Sequence, residues 1–213
     1  MNKVEKAIAA GLTIGACLSP MAKADEVSGD IGYIQSEDPK NSYTEACMGY
    51  GLPGDVKGFT FMDFNTDPEK GYYGKSTLIR RVVDDLCARA QVVHGDEPFT
   101  KAGLGVEANV PMPKNTSAKI RFMPLWVDDE GIMNDYMEVE ACLGANLGKG
   151  FSVGASGRIN ANDGSWCTGG LTAYKDFGRF KVGYDGVLNK GDGKLDPVLE
   201  HRFAVRMCFG GKK

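Results

Sequence analysis

The chain has 213 residues, 42% of them hydrophobic and 25% charged, with a formal net charge of −3. That length suits one domain, and so small a net charge, without a basic run, argues against a nucleic-acid partner. Past the N-terminal segment no stretch reaches the roughly 18 apolar residues of a membrane-spanning helix.

The N-terminus carries the pattern of an export signal. Lys3 and Lys6 precede a short apolar stretch over 7–18, and Ala22-Lys23-Ala24 forms a small-residue cleavage site before Asp25 and Glu26. Residues 1–24 are therefore expected to be a signal peptide. Ile14-Gly15-Ala16-Cys17 loosely resembles a lipoprotein processing site, which would acylate Cys17 and anchor the chain instead. Cleavage after Ala24 is preferred, because the acidic start of the mature chain fits it. Residues 25–45 are polar and rich in turn formers, and are expected to form a flexible segment with a short strand at 31–35. The barrel domain is expected to span 46–213.

From there alternation with a period of two takes over. Strands are expected at 45–51 and 58–64, around the Pro53-Gly54-Asp55 turn, and then over 77–94, 102–110 and 118–127. In the last of these Ile120, Phe122, Pro124 and Trp126 oppose Lys119 and Arg121, and Pro124 calls for a rim or a bulge because it cannot donate to a ladder. Clearer strands follow at 136–147, 151–162, 166–177, 179–188 and 201–209. Met137, Val139, Ala141, Leu143, Ala145 and Leu147 share one face of the first, opposite Glu138 and Glu140. These runs reach ten to twelve residues, against about five or six for a soluble strand and about nine to eleven for a tilted transmembrane one. A membrane protein without spanning helices must be a closed barrel, because only helices and barrels satisfy every backbone group in lipid. The fold class expected is an all-β, up-and-down antiparallel transmembrane β-barrel of about ten strands, within a range of eight to twelve, in the outer membrane of a Gram-negative bacterium.

Tight turns at 148–150 and around Gly178 fall on one side of the meander and longer loops on the other, an asymmetry of bacterial barrels. The segment 65–73 is an exception, a long connection on the short side. Phe151, Phe177, Phe180 and Phe209 fall at the short-turn ends of the apolar faces, and Trp126 near the opposite interface. Together they are expected to form a lipid-facing girdle.

The opposite face carries Arg89, Glu107, Lys119, Arg121, Glu138, Glu140, Arg158, Asp185, Arg202 and Arg206, interleaved with Gly, Ser and Thr. Arg121, Glu138, Glu140 and Arg158 fall on neighbouring strands, suited to an ion-pair network. Charges inside a barrel are tolerated when paired or wetted. Such a lumen is either a narrow channel for small polar solutes or a plugged, structural interior. The small residues between the charges favour the channel.

Five cysteines follow Ala24, so at least one lacks a partner within the chain. Cys47 and Cys208 are candidates for a disulfide across the barrel closure. No spacing suggests a metal site, and no cofactor is expected. With only His94, in an expected outer loop, and His201, no catalytic triad can be argued.

The segments Gly58-Phe59-Thr60-Phe61-Met62-Asp63-Phe64, Tyr72-Tyr73-Gly74-Lys75 and Leu199-Glu200-His201-Arg202 resemble the nucleoside-specific channel (Tsx-like) family of outer-membrane barrels. The resemblance implies a monomeric barrel passing small solutes. The expected partners are membrane lipid, a small polar solute and the barrel-assembly machinery during biogenesis. The alternative is a secreted or lipid-anchored soluble β-barrel that binds an apolar ligand inside.

Overall fold

The computed structural model describes residues 27–37, 42–65, 71–95, 101–128, 131–133, 136–161, 167–190 and 198–210. The expected signal over 1–24, with both of its cleavage alternatives, lies outside them. Thirteen strands appear in chain order: β1 (Val27–Ser36), β2 (Tyr43–Leu52), β3 (Val56–Asn65), β4 (Tyr72–Val83), β5 (Leu86–Gly95), β6 (Lys101–Val110), β7 (Thr116–Asp128), β8 (Gly131–Ile132), β9 (Glu138–Gly148), β10 (Phe151–Asn160), β11 (Cys167–Phe177), β12 (Phe180–Lys190) and β13 (Val198–Gly210). β8 is a two-residue appendage on the end of β7. The other twelve pair antiparallel with their neighbours, and β1 pairs with β13, so the sheet closes on itself.

Twelve wall strands replace the expected ten, for two local reasons. β1 is a full member of the wall, paired on both edges, where the polar, glycine-bearing sequence predicts a loose segment. Residues 77–94 are not one strand, because β4 and β5 meet at a tight turn over Asp84 and Asp85. That turn lacks glycine and proline, and apolar residues flank it on both sides, so period-two alternation runs through it unmarked. The extra hairpin also removes the exception in loop lengths. Connections at 53–55, 84–85, 111–115, 149–150 and 178–179 lie on the side of the chain ends, and the segment between Asn65 and Tyr72 falls on the opposite side with the long loops. The 149–150 turn is bought with backbone freedom at Gly148 and Gly150, whose φ angles are 81° and 78°.

The alternation decides which face meets solvent. Leu143, Val153 and Val205 are 57%, 40% and 52% exposed on the outside. Glu138, Glu107 and Arg89 are buried inside. This is the reverse of a soluble barrel around an apolar ligand, and it overturns that alternative. A mostly apolar exterior of this extent, broken on β3–β5 by Thr60, Ser76, Arg80 and His94, suits hydrocarbon rather than water.

Candidate functional site

The interior is built by register. On β6 and β7, Glu107 lies opposite Arg121, and Arg121 lies opposite Glu140 of β9. Glu107 is only 3% exposed and gathers three cations, with Arg89 and Arg121 donating at 2.8 Å and Lys119 at 3.2 Å. Arg121 reaches on to Glu140 at 2.7 Å. Arg158 approaches Glu138 at 3.9 Å, and its guanidinium meets the Tyr73 hydroxyl from the facing wall. Arg89 also donates to Gln91 at 3.1 Å. The hub of the network is Glu107, which reading of β7, β9 and β10 alone does not single out, because its role depends on the β5–β6–β7 register.

A second cluster sits across the lumen. Arg206 pairs with Asp30 at 3.1 Å, with Asp185 at 3.7 Å, and also with Glu45. The Tyr174 hydroxyl donates to Asp185 at 2.6 Å. Arg202 pairs with Glu200 at 2.6 Å and donates to the Tyr43 hydroxyl at 3.1 Å. The two clusters give the lumen a transverse polarity. Lys75, Arg89, Lys119, Arg121 and Arg158 outnumber Glu107, Glu138 and Glu140 on one wall. Asp30, Glu45, Asp63, Asp185 and Glu200 outnumber Lys181, Arg202 and Arg206 on the other.

Between the clusters β10 and β11 present Ser152, Ser156, Thr168, Gly170 and Thr172 to a cavity of about 450 Å³, which Arg202 and Arg206 close on the far side. Large inward side chains leave that space free by lying flat over glycines of the neighbouring strand. A Cβ at Gly183 would sit 2.3 Å from the Tyr174 ring, and one at Gly32 would sit 2.7 Å from Arg206 Cγ.

Trp126 is not part of a lipid-facing girdle. It is fully buried inside the barrel. The pairing of β6 with β7 shifts between Leu104 and Val106, where Phe122 faces Val106 and Leu125 faces Leu104. Two residues of β7, Met123 and Pro124, thus oppose Gly105 alone, a β-bulge that reverses the alternation beyond Pro124. Met123 and Trp126 turn inward, pack with Val93, and are covered by Met133 and Tyr136 from the β7–β9 connection. The indole lies over Gly103, where a Cβ would be 2.8 Å from the ring. Phe151, Phe177, Phe180 and Phe209 lie on the outward face at the short-turn end. Lys175 is placed over the Phe151 ring, 4.1 Å from its centroid.

The cysteines also depart from expectation. Cys47 is on the second strand, and β1 intervenes, so Cys47 and Cys208 both lie opposite Asp30. Two strand spacings separate them, about 9–10 Å, beyond the reach of a disulfide, and both thiols are free. His94 belongs to β5 rather than to an outer loop, and its ring lies 6.0 Å from that of Tyr72.

No protein-family model and no curated protein matches the chain. Among solved structures it is similar to the KdgM porin, with a TM-score of 0.61, 6% identity, and coverage of 85% of this chain and 99% of that one. The same values hold for the KdgM porin in complex with disordered oligogalacturonate. The NanC porin matches with a TM-score of 0.58, 12% identity, and coverage of 86% and 98%. At such identities the likeness is one of fold, a closed antiparallel barrel matched over nearly the whole length of those porins.

Proposed function

We propose that this chain is an integral barrel of the Gram-negative outer membrane that passes small polar solutes through its lumen. The observation that carries the reading is the inversion of faces around a cavity, with aliphatic side chains outside and a polar, hydroxyl-bearing space of about 450 Å³ inside. Full-length likeness to two porins supports the same reading. Export through residues 1–24, insertion by the barrel-assembly machinery and a lipid boundary follow from it. Residues 25 and 26 would then lead directly into β1.

The lumen cations do not form an open basic track. Arg121 is held by Glu107 and Glu140, and Arg206 by Asp30, Glu45 and Asp185. A polyanion such as the oligogalacturonate of the KdgM complex would have to displace those carboxylates. Uncharged and zwitterionic solutes fit the balanced interior better, and nucleosides, after which the channel family resembled by 58–64, 72–75 and 199–202 is named, belong to the same panel. A plugged barrel is the second reading, favoured by Met133 and Tyr136 packing inward on Trp126 and by the Tyr73–Arg158 contact across the lumen. Conductance in planar bilayers and swelling of proteoliposomes in sugars, amino acids and nucleosides decide between them. Discrete conductance steps with solute-dependent swelling are expected. A heat-modifiable, detergent-dependent barrel that gives neither would refute the channel.

A further inference from the structure

β3 breaks the pattern of the rest of the wall. Phe59 lies opposite Thr77, and Thr77 receives a hydrogen bond from inward-facing Arg89. Phe61 lies opposite Lys75, and Asp63 opposite Tyr73. Phe59, Phe61 and Tyr73 therefore face the lumen, while Met62 and Phe64 take the other face. Ile34, Met123 and Trp126, also inward, are packed away, no more than 1% exposed. Phe59 and Tyr73 are 43% and 39% exposed. Bare aromatic surface in a water-filled passage is unfavourable unless something covers it. The Phe61 and Tyr73 rings stand edge to face at 6.2 Å, and two residues of strand rise separate Phe59 from Phe61 by about 7 Å. Phe59 extends the Phe61–Tyr73 pair by one same-face position along β3.

The strip has polar company. At its Tyr73 end, Asp63 Oδ1 is buried without a hydrogen-bond partner. Asp185 Oδ1, in the wall of the cavity, is in the same condition. On the opposite wall, the cavity lined by Tyr43 and Glu45 of the neighbouring β2 presents Ser152, Ser156, Thr168 and Thr172 to a solute leaving the strip. A solute that meets the strip and then the cavity needs a flat, apolar C–H face for the rings and several hydroxyls around its edge. That is the chemistry of a pyranose. A flat base would use the rings but few of the hydroxyl partners, and an open-chain polyol would use the partners but not the rings.

We propose that Phe59, Phe61 and Tyr73 form an aromatic strip along which pyranose sugars pass, with Asp63 accepting a sugar hydroxyl. The inference rests on the channel reading and assigns that channel a solute class. The test is proteoliposome swelling with glucose and with sorbitol, which are nearly equal in mass but differ in having a ring. The proteins are the wild type, F59A/F61A and F59L/F61L, each first shown to be folded by heat-modifiable gel migration. Ring–aromatic contacts are worth a factor of about two to ten. Glucose is therefore expected to enter the wild type at least about two-fold faster than sorbitol, and that preference is expected to vanish in both variants, since leucine keeps the apolar bulk without the flat face. Equal rates in the wild type, or an F59L/F61L variant that keeps the preference, would overturn the strip. A wild type that passes neither solute would overturn the channel reading beneath it.

Discussion

The charge network makes an ordered prediction about two glutamates that stand opposite the same arginine. Glu107 is 3% exposed and meets Arg89, Arg121 and Lys119. Glu140 is 15% exposed and meets Arg121. Replacing Glu107 by Gln leaves the Arg89 side chain, itself 5% exposed, without a carboxylate. Stripping a buried ion of its partner costs about 3–5 kcal/mol. Gln91 remains at 3.1 Å from Arg89, Arg121 keeps Glu140, and Lys119, 42% exposed, loses little to solvent-screened pairing. The E107Q loss should therefore fall at about 2–4 kcal/mol. E140Q leaves Arg121 its second carboxylate and should cost about 1–2 kcal/mol. The assay is guanidinium unfolding in detergent micelles, followed by tryptophan emission. E107Q should also move reversal potentials in a salt gradient toward anions, because a lumen carboxylate is gone. An E140Q loss equal to or larger than that of E107Q would refute the hub assignment.

Three further outcomes follow from the wall. Leu143→Arg places a cation on the lipid face near mid-strand and should cost about 2–4 kcal/mol of folding free energy in bilayers, whereas Leu143→Val should be nearly silent; similar losses for the two would contradict the outward assignment. Gly103→Val puts a branched side chain where the Trp126 ring lies, so emission should shift to the red and stability fall by about 1–3 kcal/mol; an unchanged spectrum and midpoint would show that the ring does not lie there. Ser156→Trp should at least halve single-channel conductance, since Ser156 lines the open side of the lumen, and an unchanged conductance would place the solute path elsewhere.

Sequence alternation located the strands where the wall is regular. From β9 to β13 its boundaries agree with the structure to within a few residues, because apolar side chains on lipid and polar ones inside repeat without interruption. It failed where something local outweighed the alternation. In β1, Gly29 and Gly32 lower the strand signal, yet they are required: a Cβ at Gly29 would sit 2.1 Å from the Cys47 carbonyl oxygen, and one at Gly32 would meet Arg206. Trp126 was misplaced by carrying the face of Ile120 and Phe122 through Pro124, although the proline was itself the sign of a bulge. The adjacency of Arg121 to Glu140 and of Arg158 to Glu138 was legible from strand order in the C-terminal half. The Glu107 hub and the Arg206 cluster were not, since both need pairings that only the closed, twelve-strand register defines.

The seam between β1 and β13 has a kinetic meaning. It joins Ser28 to Gly210 and Ser36 to Arg202, the largest sequence separations in the wall. Zipping of successive hairpins is local, but this last ladder must bring the two extremities of the sheet together, with an entropic penalty that grows as the logarithm of the intervening length. Until it forms, the sheet carries two bare edges able to recruit another chain. Shortening the polypeptide before Val198 should thus yield not a slightly smaller cylinder but an open ribbon prone to oligomerise, and a chaperoning factor that guards those edges would act at the rate-limiting moment.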